Sequence, residues 1–195
     1  ATHRSDVREK LSSDYRENTM IDEILIKRKL EKIYEKIDPV CDGQMIFTKR
    51  NGLVYQTKGT DKVLDVKNIS TGLKTFVILK TLLMNGTLEE NGTIILDEPE
   101  IHLHPQWQLL FAELIVLIQK EFHMHILLNT HSPYFLQAIE VYAAKYEIAD
   151  KCKYYLAQLD GDMVVINDVS DSTETIYKLL AKPFQNLENV RYEND

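Results

Sequence analysis

With 195 residues, the chain is long enough to bury one hydrophobic core and short for two. It is 44% hydrophobic and 27% charged, as ordinary globular proteins are, and a net charge of −7 argues against wrapping nucleic acid over a broadly basic surface. Cys41 and Cys152 form no CxxC pair, which excludes a zinc knuckle or disulfide framework and fits a reducing cytoplasm, the expected location. No apolar run approaches the ~20 residues that cross a bilayer, and none reads as a signal peptide, so no membrane association is expected.

Residues 1–40 read as a helical segment, the end of an insertion or a lobe boundary, and residues 41–195 as the main unit. Ile26, Leu30, Ile33 and Ile37 recur at helical spacing and share one face. Lys27, Arg28, Lys29, Lys32 and Lys36 are interspersed with Glu31 and Glu35. Two readings of these charges stand: a solvated face packing on its own domain, or a basic contact surface for a nucleic acid or partner. Pro39 ends the helix.

From Gln44 to Val66 short apolar clusters alternate with turn signals. Asn51-Gly52 between Met45-Ile46-Phe47 and Leu53-Val54-Tyr55 predicts a hairpin, and Val63 to Val66 a third antiparallel strand. Ser70 is placed to cap a helix running to about Met84, with Phe76, Leu79 and Leu83 inward. Asn91-Gly92 turns into a strand from Thr93 to Leu96. Pro105 opens a helix whose apolar stripe is Trp107, Leu110, Phe111, Leu114 and Ile118. A second strand spans Met124 to Asn129.

Strand, helix and strand in this order form a right-handed crossover, so the two strands are expected parallel in one sheet. Neither alternates cleanly, which predicts that both sheet faces are covered. Tyr154 to Gln158 and Met163 to Ile166, around Asp160-Gly161, read as a further hairpin, and Thr173 to Ala181 as a helix before a polar tail.

Ligands gather at the carboxyl ends of strands in an open α/β sheet. Asp97 and Glu98 end one strand, and His131 lies just past the other. An acid at a strand terminus suits direct or water-mediated ligation of Mg2+, a hard cation. The next acid can polarise a water for in-line attack on a phosphoryl group, and a nearby histidine can hydrogen-bond that phosphate or water. Ser70-Thr71-Gly72 opens a helix, whose unpaired N–H groups suit an anion, and Gly72 would allow a phosphate close to the backbone. A plain helix cap explains the same three residues.

In combination the motifs are specific. Ile69-Ser70-Thr71-Gly72-Leu73-Lys74 resembles the signature motif of ABC-type ATPases. Thr93 to Glu100 resembles their Walker B strand with its catalytic glutamate, Ile101-His102-Leu103-His104-Pro105 the D-loop, and Leu127 to Pro133 the switch-histidine region. The forms DEPEIHLHP and NTHSP are similar to the soluble branch of AAA-type P-loop ATPases, which includes overcoming-lysogenization-defect nucleases, recombination-type ATPases and phage-defence ATPases. The resemblance covers roughly residues 65–140. It implies an α/β fold, the carboxyl-terminal part of an ABC-type head, with a parallel sheet core, helices on both faces and antiparallel hairpins. It also implies ATP binding and hydrolysis. Asp97 would support Mg2+, Glu98 would orient the water, and His131 would contact the γ-phosphate. Ser70 and Gly72 would contact the γ-phosphate of an ATP held by a second head, in a homodimer or higher oligomer, and Thr71, Lys74 and His104 are further candidates for binding the nucleotide. DNA or a nuclease is a further candidate partner.

The family's Gly-x-x-x-x-Gly-Lys-Ser/Thr loop and Q-loop are not matched in the 195 residues. Gly43-Gln44-Met45 and Gly52-Leu53-Val54 lack the second glycine followed by lysine. Since Ala1 falls within what would be a helical insertion, the expectation is that the amino-terminal lobe is encoded upstream, or else comes from another polypeptide. The fragment alone is expected to be inactive. Asp160-Gly161-Asp162 offers no acidic cluster of the topoisomerase-primase kind, so no intrinsic nuclease is expected.

Two other readings compete. His102-x-His104 and His123-x-His125, near Asp97, Glu98 and Glu100, suggest a metal-dependent nuclease or phosphohydrolase. A non-catalytic module docking on an ATP-binding subunit would also keep the acids without the phosphate loop.

Overall fold

The computed structural model describes residues 20–48, 52–60 and 63–192. Residues 1–19, part of the expected helical segment, and Asn51 of the expected hairpin turn lie outside the described residues. Helix α1 (Met20–Ile37) leads into strands β1 (Gly43–Thr48), β2 (Gly52–Thr57) and β3 (Val63–Asp65), which form one antiparallel sheet in that order. Gly43 faces Thr57 and Thr48 faces Gly52, the register a tight hairpin requires. A 3₁₀ turn (Val66–Asn68) passes to α2 (Thr71–Met84), then β4 (Thr93–Asp97), α3 (Pro105–Phe122), β5 (His125–Asn129) and α4 (Pro133–Lys145). A short 3₁₀ turn (Ala149–Lys151) precedes the antiparallel pair β6 (Tyr155–Asp160) and β7 (Met163–Asp168), and α5 (Glu174–Tyr192) follows.

Caps set the helix starts. Ser70 Oγ accepts the N–H of Leu73, Ser132 Oγ accepts that of Phe135, and His104 Nδ1 accepts that of Gln106 ahead of Pro105. Helix α3 ends at His123, which turns left-handed at φ 53°. The main core cluster draws on α1, α2, α3 and the first half of α4, with Met45 and Tyr55 from the hairpin, and a smaller cluster joins Val116, Ala143 and Ile148. Phe76 stands edge-on to both Trp107 (5.7 Å) and Phe111 (5.4 Å), and Phe111 stacks on Phe135. These rings fix α2, α3 and α4 against one another.

The basic residues of α1 are partly committed within the domain. Lys29, Lys32 and Lys36 pair with Glu90, Glu121 and Glu113 at 3.1, 2.9 and 3.0 Å. That supports the packed-helix reading over a dedicated basic contact surface.

Strands β4 and β5 are parallel, in a register that pairs Ile95 with Leu127 and Asp97 with Asn129. Among the described residues only one face of this sheet is covered. Ile94, Leu96, Ile126 and Leu128 pack on the core, but Ile95 is 69% and Leu127 63% exposed. The reason is architectural: the crossover helix and its neighbours cover one face, and no described residue layers over the other. The last helix also runs beyond the expected Ala181, through Pro183 to Tyr192. A proline removes one intrahelical hydrogen bond, and the helix-forming residues beyond it resume the turn.

Candidate functional site

The crossover brings Asp97, Glu98 and His131 to the carboxyl ends of β4 and β5. Because the strands are in register, Asn129 lies beside Asp97 and its Nδ2 donates to Asp97 Oδ1 at 2.8 Å. Glu98 follows directly and turns left-handed, φ 43°, a conformation that costs a non-glycine residue roughly 1 kcal/mol. Backbone bonds hold it there: its N–H donates to Asn129 O at 2.9 Å, and its carbonyl accepts from Ile101 at 3.2 Å. Such local strain clusters at functional sites. The turn aims the carboxylate at the next loop, where His131 Nε2 lies 3.2 Å from Glu98 Oε1. The histidine side chain is 75% exposed and the glutamate 35%, so both remain open to solvent and ligand.

A second constellation lies apart from this pair. Ser70, Thr71 and Gly72, at the start of α2, share a cleft of about 540 Å³ with His102, His104 and Trp107. Neither Asp97, Glu98 nor His131 lines it, and Lys74 also stays outside, on the first turn of α2. Gly72 has a packing task that its sequence does not announce. It is buried, and a Cβ there would sit 2.8 Å from the His102 carbonyl oxygen, so its missing side chain lets α2 close onto the 98–104 turn. Ser70 and Thr71 are exposed at the helix mouth.

Among the described residues, no group of three or more His, Cys, Asp or Glu side chains is arranged to hold a metal ion. The two histidine pairs sit at opposite ends of α3, whose 18 residues span about 27 Å, so they cannot form one centre. What remains for a cation is the oxygen set at the strand ends, Asp97 with Asn129 beside it. That chemistry fits Mg2+, which takes one or two carboxylates and fills its octahedron with waters and phosphate oxygens.

Sequence reasoning missed Asn129, Trp107 and the pair Glu100–Thr130. Asn129 was legible from strand alignment, since both strands end together. Trp107 read as core because it falls on the apolar stripe.

Helices layered on a parallel β4–β5 pair, with two acids and a histidine at the strand ends, are consistent with the carboxyl-terminal part of a P-loop ATPase head. Solved structures share the fold. The Smc head bound to the C-winged helix domain of ScpA superposes with a TM-score of 0.55 at 15% identity, over 88% of this chain and 56% of that one. The Smc head with coiled coil and joint from Pyrococcus yayanosii gives 0.55 at 15%, over 84% and 30%. The AAA ATPase domain family model matches residues 3–136, and the chain belongs to that family. Among curated relatives, the OLD nuclease of Thermus scotoductus is 31% identical over 86 residues, 44% of this chain. The Retron Vc95 probable ATPase of Vibrio cholerae serotype O1 biovar El Tor is 29% identical over 87 residues, 39% of this chain. The matched stretch spans 16% of the length of each of these relatives.

Proposed function

We propose that this chain is the signature, Walker B and switch-histidine portion of an ATP-hydrolysing head. The observation that carries the reading is the 3.2 Å approach of His131 to Glu98 beside Asp97, at the carboxyl ends of parallel strands. Glu98 accepts a hydrogen bond from the attacking water and draws its proton as the oxygen approaches the γ-phosphorus. His131 holds the Glu98 carboxylate in place and faces the phosphoryl oxygens. Asp97, fixed by Asn129, would hold Mg2+, which when bound neutralises charge on the β- and γ-phosphate oxygens.

Two features support completion of this site by other parts. The exposed Ile95–Leu127 face suits a covering layer, which we assign to the lobe bearing the phosphate-binding loop. The Ser70 cleft is separate from Glu98, as expected if it engages the ATP of a second head in trans, with Ser70, Thr71 and His104 facing the phosphates. In this reading Lys74 steers phosphate from outside the cleft, and Gly72 acts by letting α2 close. The assembly is a dimer of heads or a higher oligomer. Given the OLD nuclease among the relatives, DNA and a nuclease are the first effectors to test. No described helix is long and apolar enough to cross a membrane.

The test is Glu98→Gln in the protein that includes the phosphate-binding lobe. The amide keeps the shape and loses the charge that orients water, so turnover should fall about a hundredfold or more while ATP-driven head dimerisation persists. Undiminished turnover would remove Glu98 from its role.

A further inference from the structure

Glu100 lies two residues beyond Glu98 in the turn between β4 and α3, and only 4% of it is exposed. Its Oε1 accepts the hydroxyl hydrogen of Thr130 in a short contact, while Oε2 is buried without a hydrogen-bond partner among the described residues. Burying a carboxylate with one oxygen unmatched is expensive, and an apolar side chain would fill the same space at lower cost. The group is therefore a poor choice for stability alone. Its contacts suggest a task. Thr130 Oγ1 also accepts the N–H of Ser132 at 3.0 Å, so the residues on both sides of His131 converge on the oxygen that Glu100 grips. A second tie runs parallel: Ser132 Oγ donates to Gln108 Oε1 at 2.9 Å, and Gln108 Nε2 donates to Leu103 O at 3.2 Å. The histidine loop is thus fastened to the 98–104 turn, whose far end carries His102 and His104 into the Ser70 cleft.

We propose that Glu100 is a positioning residue: through Thr130 it sets the loop that holds His131 against Glu98, and it links that pair mechanically to the turn facing the second head. Its effect on turnover rests on the ATPase reading above; its effect on the position of His131 does not.

The experiment compares Glu100→Ala, Glu100→Gln, Thr130→Val, Thr130→Ser and the double variant Glu100→Ala/Thr130→Val in the protein with its phosphate-binding lobe. Glu100→Ala and Thr130→Val each break the clasp and should lower kcat about 10- to 100-fold with KM for ATP nearly unchanged. Glu100→Gln keeps an acceptor and Thr130→Ser keeps a hydroxyl, so both should stay within about threefold of the parent. The double variant should be no worse than the poorer single one, as for two residues acting as a unit. Multiplying losses, or a lowered Tm with normal kcat, would reduce Glu100 to a structural clasp and overturn the proposal. In parallel, the ring resonances of His131 in the 195-residue chain, identified by His131→Asn, should move in Glu100→Ala and Thr130→Val but not in Glu100→Gln or Thr130→Ser. Unmoved resonances also overturn it. If the parent protein fails to hydrolyse ATP, or Glu98→Gln is without effect, the ATPase reading falls, and the resonances alone decide the role of Glu100.

Discussion

A single missing methyl group joins the two constellations of this molecule. Gly72 sits in the first turn of α2, where alanine is ordinarily the better helix former by up to about 1 kcal/mol. Here the sign reverses. An alanine Cβ would lie 2.8 Å from the His102 carbonyl oxygen, and a backbone oxygen cannot swing aside as a side chain would. Overpacking of this kind costs roughly 1–3 kcal/mol, more than the propensity gain. Gly72→Ala should therefore lower the thermal midpoint by several degrees, read by circular dichroism, whereas a raised midpoint would show that the 98–104 turn yields freely. The residue types at this site were legible as a set, since Ser70, Asp97, Glu98 and His131 carry their chemistry in their side chains. The use of Gly72 was not. A glycine advertises freedom to approach, and only the folded chain says what approaches it.

Between elements, a polar joint centres on Glu113 of α3. Its side chain, 6% exposed, accepts from Lys36 of α1 at 3.0 Å, from Lys145 at the end of α4 at 2.9 Å, and from the Tyr146 hydroxyl at 2.6 Å. Burial alone would raise the carboxyl's pKa. The Tyr146 hydroxyl and the two ammonium groups outweigh it and hold the pKa below the ordinary glutamate value of 4.5. A depressed folded-state value means the stabilisation is complete above the unfolded pKa and is lost as pH falls through the folded one. Glu113→Gln should cost roughly 2 kcal/mol at neutral pH, discounted because both lysine heads are half in water. The difference from the parent should narrow as pH drops below 4.5, the ordinary glutamate value, measured by urea unfolding across that range. An equal difference at both ends would mean that shape rather than charge makes the joint. Periodicity put α1 and α3 in place but α4 went unread, and Glu113 falls within an apolar helix and reads from sequence as a lone acid. Its partners come from 32, 33 and 77 residues away, distances along the chain that no local pattern spans.

At the scale of the whole molecule, the β4–β5 sheet has one packed face and one face that exposes Ile95 and Leu127. Soluble surfaces seldom leave paired large aliphatics on a flat sheet without use. Asp97 and Asn129 lie on that same face, so a layer covering it would also be adjacent to the strand ends where, in the proposed reading, a nucleotide's phosphates would rest. It follows that these 195 residues alone should bind ATP more weakly than about 1 mM, measured by titration calorimetry with Mg2+ present. Micromolar affinity would show that the cradle for three phosphates is built from residues already in this chain, and the two-lobe reading would fail.

The sequence by itself determined most element types, though not the helix Pro133–Lys145, and also the parallel crossover and the identities of the acids, histidine and serine. Those follow from period, caps and side-chain chemistry, which are local and survive in any context. Tertiary structure decided the rest. It turned Glu98 left-handed toward His131 and separated the Ser70 cleft from that pair. It made Gly72 a packing residue, clasped Thr130 with a buried Glu100, and left one sheet face open. Each of these depends on which distant backbone comes within about 3 Å, the range over which hydrogen bonds and steric exclusion act. Periodicity in one dimension carries no record of such meetings.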